Sequence, residues 1–134
     1  MILVDTSVWI ELLNRKPVHG VPEQELSNFA TCGPIVQEVL QGLRDDPASE
    51  AFRAALLAVP VLGDPLPLTT FLAAARIYHL GRAKGYTIRS SVDCLIAAIA
   101  IENRVAVWHQ DRDYETIARY TSLRTRRWHE EQLQ

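Results

Sequence analysis

The chain has 134 residues, a hydrophobic fraction of 48% and a formal net charge of -2. That length suits one domain able to bury roughly two-thirds of its unfolded surface, and the composition excludes a disordered chain. Near-neutral charge excludes a global attraction for nucleic acid, so any such binding must come from local basic patches.

Ile2-Leu3-Val4 is apolar, with two β-branched residues, and reads as a short strand buried on both faces. Asp5 follows at once. Ser7 is placed to cap a helix carrying Val8, Trp9, Leu12 and Leu13. Residues 16–22 read as a Pro/Gly-containing loop, 23–29 as a short helix and 30–32 as a strand ended by Gly33-Pro34. A helix over 34–43 has Pro34 in its first turn and an apolar stripe at Ile35, Val36, Val39, Leu40 and Leu43, with Glu38 and Gly42 on one flank. Asp45-Asp46-Pro47 breaks the chain before a helix over 48–59, and Pro60-Val61-Leu62 is a candidate buried strand. Thr69 or Thr70 starts a long helix that runs through Arg82 and stops at Gly85. Ser90 and Ser91 start the next helix, over 92–101, closed by Asn103; it is apolar on every side except at Asp93 and must be buried. Residues 105–108 form a buried strand, 109–113 an acidic turn, 114–120 a short helix and 123–128 a last strand or extended tail.

Strands alternating with helices imply an α/β fold of three layers, α/β/α, with a central parallel sheet of four to five strands and one domain over 1–134. Cys32 and Cys94 show no zinc-like spacing with histidine and read as buried thiols in a reducing compartment. No basic n-region followed by a long apolar run opens the chain, and no apolar stretch reaches the about 18 residues of a membrane span. The expectation is a cytoplasmic protein without a membrane partner.

Ligands of parallel sheets bind at the carboxyl ends of the strands, and Asp5 and Asp111 fall there. Asp93 lies in the first turn of a buried helix, where the helix dipole favours an anion; Ser90-x-x-Asp93 also fits a capping box. Glu38 projects from the helix after the second strand, where periodicity alone reads as a solvated flank. Asp111 and Asp113 equally suit an ordinary acidic turn. Taken together, crowded carboxylates repel and force a proton onto one of them, unless a divalent cation fills the site. An all-oxygen donor set suits Mg2+ or Mn2+. Such an ion activates water and neutralises charge at a phosphoryl group, which makes phosphodiester hydrolysis the natural reaction.

Four motifs carry a resemblance: Ile2-Leu3-Val4-Asp5-Thr6-Ser7, Glu38-x-x-x-Gly42, Arg89-Ser90-Ser91-x-Asp93-Cys94-Leu95-Ile96-Ala97-Ala98, and His109-x-Asp111-Arg112-Asp113-Tyr114-Glu115-x-Ile117-Ala118. In this order they resemble the PIN-domain ribonucleases, and most closely the VapC-type toxins of type II toxin–antitoxin pairs. The resemblance implies a PIN-like fold and an endoribonuclease dependent on Mg2+ or Mn2+. It carries the catalytic and metal-binding roles onto Asp5, Glu38, Asp93 and Asp111, with Asp113 a further ligand or a supporting acid. Thr6 and Ser7 match hydroxyls that orient the first Asp or a water. It also implies a homodimer, a dimer of dimers with a cognate VapB-type antitoxin, and an RNA substrate.

Arg82, Lys84, Arg89 and Arg112 are candidate RNA contacts, and Arg124, Arg126 and Arg127 extend that basic surface. His109 reads as a structural histidine at a strand end or as a substrate contact, and Trp9 as core or interface. An N-terminal strand followed by Asp also opens phosphoaspartate enzymes and receiver domains. The former need an acid where Ser7 stands, and the latter a strand-end lysine, whereas Lys16 and Lys84 are the only lysines. The remaining alternative is a non-catalytic PIN-like module that binds RNA or a protein partner.

Overall fold

A computed structural model describes residues 1–15 and 26–129. Its centre is β1 (Ile2–Val4), whose three residues are all buried because both faces of the sheet are covered. β1 pairs in parallel with β2 (Phe29–Ala30) on one side and β3 (Ala106–His109) on the other. β3 in turn pairs in parallel with β4 (Thr125–Arg127), giving the order β2-β1-β3-β4. Among the described residues the sheet has four strands, the lower of the two expected numbers. All four carboxyl ends share one edge.

Six helices complete the described layers: α1 (Thr6–Arg15), α2 (Gly33–Gly42), α3 (Pro47–Ala58), α4 (Leu68–Ala83), α5 (Ser91–Glu102) and α6 (Arg112–Ala118). The result is a three-layer α/β/α fold. α5 is the most deeply buried helix, with Ile96, Ala97, Ile99 and Ala100 at or below 1% exposure. Ser90 caps it, its Oγ accepting from the Asp93 backbone N–H at 3.4 Å, and Asn103 Nδ2 closes it on the Ile99 carbonyl at 2.8 Å. α4 ends as its sequence requires: Gly85 at φ 84° donates to the Arg82 carbonyl, and the Tyr86 N–H reaches back to Gly81. Trp9 anchors the core between Phe29 and Phe52, both edge-on, and Trp108 packs on Trp128.

Several local expectations are corrected. Ser7 does not cap α1: the helix starts at Thr6, and the Asp5 carboxylate accepts from the Ser7 N–H instead. Phe29 belongs to β2 rather than to a helix, and β2 ends at Ala30. Pro60-Val61-Leu62 is not a buried strand; Val61 is 42% exposed and makes one isolated bridge with Thr31. Pro67, not a threonine, precedes α4, and the Thr70 hydroxyl donates to Glu102 at 2.7 Å. The expected loop over 16–22 and the first three residues of the expected helix over 23–29 lie outside the described residues. Among the described residues, no helix is long and apolar enough to cross a membrane.

Candidate metal centre

Asp5 terminates β1 at the carboxyl edge and is 6% exposed. One carboxylate oxygen accepts from the Ser7 hydroxyl at 2.7 Å and the Ser7 N–H at 3.3 Å; the other accepts from the Tyr114 hydroxyl at 2.8 Å. The same phenolic oxygen lies 3.2 Å from Asp93 Oδ1. Tyr114 thus ties together two acids that are far apart in the sequence. Ser7 is tied a second time, its Oγ accepting from the Gln110 N–H at 3.1 Å.

Asp93 faces this cluster from the first turn of α5. Only the Ser90 half of the expected capping box forms; the Asp93 carboxylate turns to Tyr114. Among the described residues its buried Oδ2 has no hydrogen-bond partner, which is costly for a carboxylate unless something else neutralises it. Burial pushes the Asp93 carboxyl from 3.8 up to about 8, and the charges of Asp111, Asp5 and Asp113 push in the same direction. Oxygens of Asp93, Asp111 and Asp113 all lie within 4.8 Å of one another.

Asp111 and Asp113 differ in what they already hold. Asp113 is buried and has both oxygens on Arg89: Oδ2 accepts its N–H at 3.1 Å and Oδ1 lies 3.6 Å from Nε. Asp111 is half-buried and caps α6; its Oδ1 accepts from the Asp113 N–H at 2.9 Å and from Arg89 Nη2 at 3.3 Å. Glu38 joins less directly, its Oε1 accepting from the Thr6 hydroxyl at 3.3 Å on the exposed side. Desolvation raises its carboxyl, the Thr6 hydrogen bond opposes that and the Asp5 charge adds to it. Beside these acids the buried Cys32 thiol is pushed up to about 12, chiefly by burial, so it stays protonated.

The donors are therefore oxygens only, one of them buried and unpaired, on a cluster that resists carrying its full negative charge. That arrangement fits a hard divalent cation. A separate cavity of about 570 Å3 opens between α4 and α5, but its walls are mainly apolar, including Phe71, Tyr78, Ile88 and Leu95, and among the described residues carry no carboxylate.

The family model for the PIN domain matches residues 2–120. The chain belongs to the PIN domain family. Its relatives include VapC ribonuclease Mb1587 of Mycobacterium bovis and Ribonuclease VapC11 of Mycobacterium tuberculosis, each 37% identical over 92% of this chain and 96% of the relative. Solved structures share the fold. VapBC2 of Rickettsia felis, bound to a DNA fragment of its promoter, superposes with a TM-score of 0.68 at 16% identity, over 96% of this chain and 100% of that one. VapBC-5 of Mycobacterium tuberculosis gives 0.65 at 23% identity, over 95% and 98%.

In this PIN domain, Asp93, Asp111 and Asp113 converge on one cluster, Asp5 joins it through Tyr114, and Glu38 is linked through Thr6. Of the candidate RNA contacts, Arg89 and Arg112 line the cleft that includes Asp111. Arg82 instead lies over the Tyr78 ring and Lys84 caps the end of α4. Sequence reasoning misses Tyr114. Its spacing of three from Asp111, on the first turn of a short helix, is the available signal. His109 is structural: it is fully buried, between the Asp111 N–H at 3.1 Å and Glu115 Oε1 at 2.8 Å.

Proposed function

We propose that this PIN domain is an endoribonuclease dependent on Mg2+ or Mn2+, the toxin of a VapBC-type pair, held silent by a cognate VapB-type antitoxin. The observation that carries the reading is the unpaired, buried Oδ2 of Asp93 beside Asp111 in a cluster tied to Asp5 through Tyr114. The names of its relatives support ribonuclease activity, and solved neighbours that are toxin–antitoxin complexes support the partner. We further propose a single domain over 1–134, a cytoplasmic homodimer, and a dimer of dimers with the antitoxin.

Asp93, Asp111 and Asp113 would hold the ion, because their oxygens lie within 4.8 Å of one another, with Asp5, tied to Asp93 through Tyr114, and Glu38 as further ligands. Asp113 also anchors Arg89, its Oδ2 accepting the Arg89 backbone N–H and its Oδ1 lying 3.6 Å from Nε. A divalent ion in this site would supply an acidified water and charge neutralisation at the phosphoryl group. The chain's own residues do the rest. Ser7 and Tyr114 fix the orientation of Asp5. Glu38, on the solvent side with its carboxyl raised, would complete the donor set there, held by the Thr6 hydroxyl.

The test is cleavage of RNA by the purified protein in Mg2+, Mn2+ or excess chelator. Cleavage in either metal, none in chelator, and loss of cleavage in folded Asp5→Asn and Asp93→Asn proteins are the expected results. Tight RNA binding with no cleavage in either metal overturns the reading and favours the non-catalytic module.

A further inference from the structure

Beside the acids, on the β4 side, lies an open cleft of about 470 Å3 lined by Arg89, Gln110, Asp111, Arg112 and Arg127. Its three arginines come from three separate parts of the chain. Arg89 precedes α5, Arg112 opens α6, and Arg127 closes β4 in register with His109. Parallel pairing puts Arg127 on the same carboxyl edge as Asp5 and Asp111.

The other arginines of this strand region are employed elsewhere. Arg126 stacks its guanidinium over Trp108 at 4.5 Å, and Arg124 Nη2 donates to the Arg104 carbonyl at 2.6 Å. Alternation along the strand sends neighbours to opposite sides, and only Arg127 of the three reaches the cleft. Arg112 and Arg127 are exposed and, among the described residues, make no ion pair within 4.0 Å. Arg89 is spent on Asp111 and Asp113. Arg127 also faces Glu115, whose carboxyl its charge helps to hold low, so the lining itself presents three arginines against one carboxylate, Asp111, in a protein whose net charge is -2. Arginines lining one open space suit an oxyanion with several acceptor oxygens, such as a phosphate.

We propose that Arg112 and Arg127, with Arg89 behind them, form a cradle for one backbone phosphate of single-stranded RNA, next to the phosphate presented to the acids. The inference rests on the nuclease reading and adds to it the side from which the strand is held. The acids alone would repel RNA; the cradle offsets that repulsion one phosphate away, and it does so without touching the metal ligands Asp5 and Asp93.

The experiment compares two charge-matched variants, Arg112→Ala/Arg127→Ala and Arg124→Ala/Arg126→Ala, in steady-state RNA cleavage with Mn2+. The first is expected to raise KM about tenfold or more with kcat within about twofold and an unchanged Mn2+ binding isotherm. Its slope of log(kcat/KM) against log salt should become shallower by about 0.7 for each phosphate the variant no longer holds. The second pair should leave KM within about twofold of wild type. Equal effects from both pairs, or a wild-type KM in the first, overturn the cradle while leaving the nuclease standing. A wild type that neither binds nor cleaves RNA overturns both.

Discussion

Tyr114 donates its phenolic hydrogen to Asp5 Oδ1 at 2.8 Å, across 109 residues of sequence. The phenol has one hydrogen to give, yet its oxygen also lies 3.2 Å from Asp93 Oδ1. Burial holds the Tyr114 hydroxyl well above its ordinary pKa, and the neighbouring charges of Asp5 and Asp93 add to this. The contact with Asp93 is therefore completed by a proton on Asp93. The metal-free site is a short hydrogen-bonded chain: Asp93 to Tyr114 to Asp5.

Replacing Tyr114 by Phe removes the middle of that chain and leaves a buried carboxylate short of a donor. A hydrogen bond to a charged group contributes about 1.5–3 kcal/mol. The metal-free Tyr114→Phe protein should be less stable by about that much in chemical denaturation at pH 7. Saturating Mn2+ should shrink the deficit, because the ion neutralises the same carboxylates. A deficit as large with metal as without it would show that Tyr114 acts on packing alone.

The raised carboxyl of Asp93 makes stability depend on pH. Its pKa is about 8 in the folded chain against 3.8 ordinarily, so the folded state keeps a proton that the unfolded state releases. The stability this proton brings is whole below about pH 4 and lost as pH rises through about 8. Asn carries no such charge. Metal-free Asp93→Asn should melt higher than wild type at pH 8, and the gap should close towards pH 4. Loss of a negative charge at the α5 N-terminus works the other way, but costs only about 0.3–1 kcal/mol, against about 1.4 kcal/mol for every tenfold change in proton affinity. A lower melting point for the variant at pH 8 would mean that helix capping outweighs repulsion.

Metal binding competes with the same proton. Added Mg2+ or Mn2+ should raise the melting temperature of the wild type, and more so at pH 8 than at pH 6, since Asp93 must be ionised to bind. In Asp93→Asn the pH dependence of that rise should vanish. Calorimetric scans at two pH values with and without metal check this. Equal rises at both pH values would place the ion away from Asp93.

Much of this was legible in the sequence because it is local. Asp5 after Ile2-Leu3-Val4, and Asp93 three residues after Ser90, announce their positions through strand burial and helix capping. The order of elements sufficed for the parallel sheet. Non-local hydrogen bonds were not legible. The resemblance puts the Ser7 hydroxyl on Asp5, but nothing near Ser7 says that Gln110 will donate to it as well. Likewise nothing in Arg124, Arg126 and Arg127 says that Trp108 will claim one and a carbonyl another. Val61 makes only one bridge, to Thr31, because the two residues between Pro60 and Gly63 are too few to extend a strand.

His109 provides a last test, of the loop that carries Asp111. Its Nδ1 accepts from the Asp111 N–H at 3.1 Å, so in the neutral ring the hydrogen must sit on Nε2, where it is donated to Glu115 Oε1 at 2.8 Å. Burial alone would raise the Glu115 carboxyl, but the hydrogen bonds from Thr125 and His109 outweigh it and hold the group low. Glu115→Gln keeps an acceptor for Nε2–H, whereas Glu115→Ala leaves that donor buried and unpaired, at a cost of about 1–3 kcal/mol. Thermal melts should therefore rank Glu115→Gln near wild type and Glu115→Ala several degrees below. Nitrogen chemical shifts of the ring should report the Nε2–H tautomer in the wild type. An Nδ1–H tautomer, or equal melting of the two variants, would show that His109 does not hold the Asp111 backbone in place.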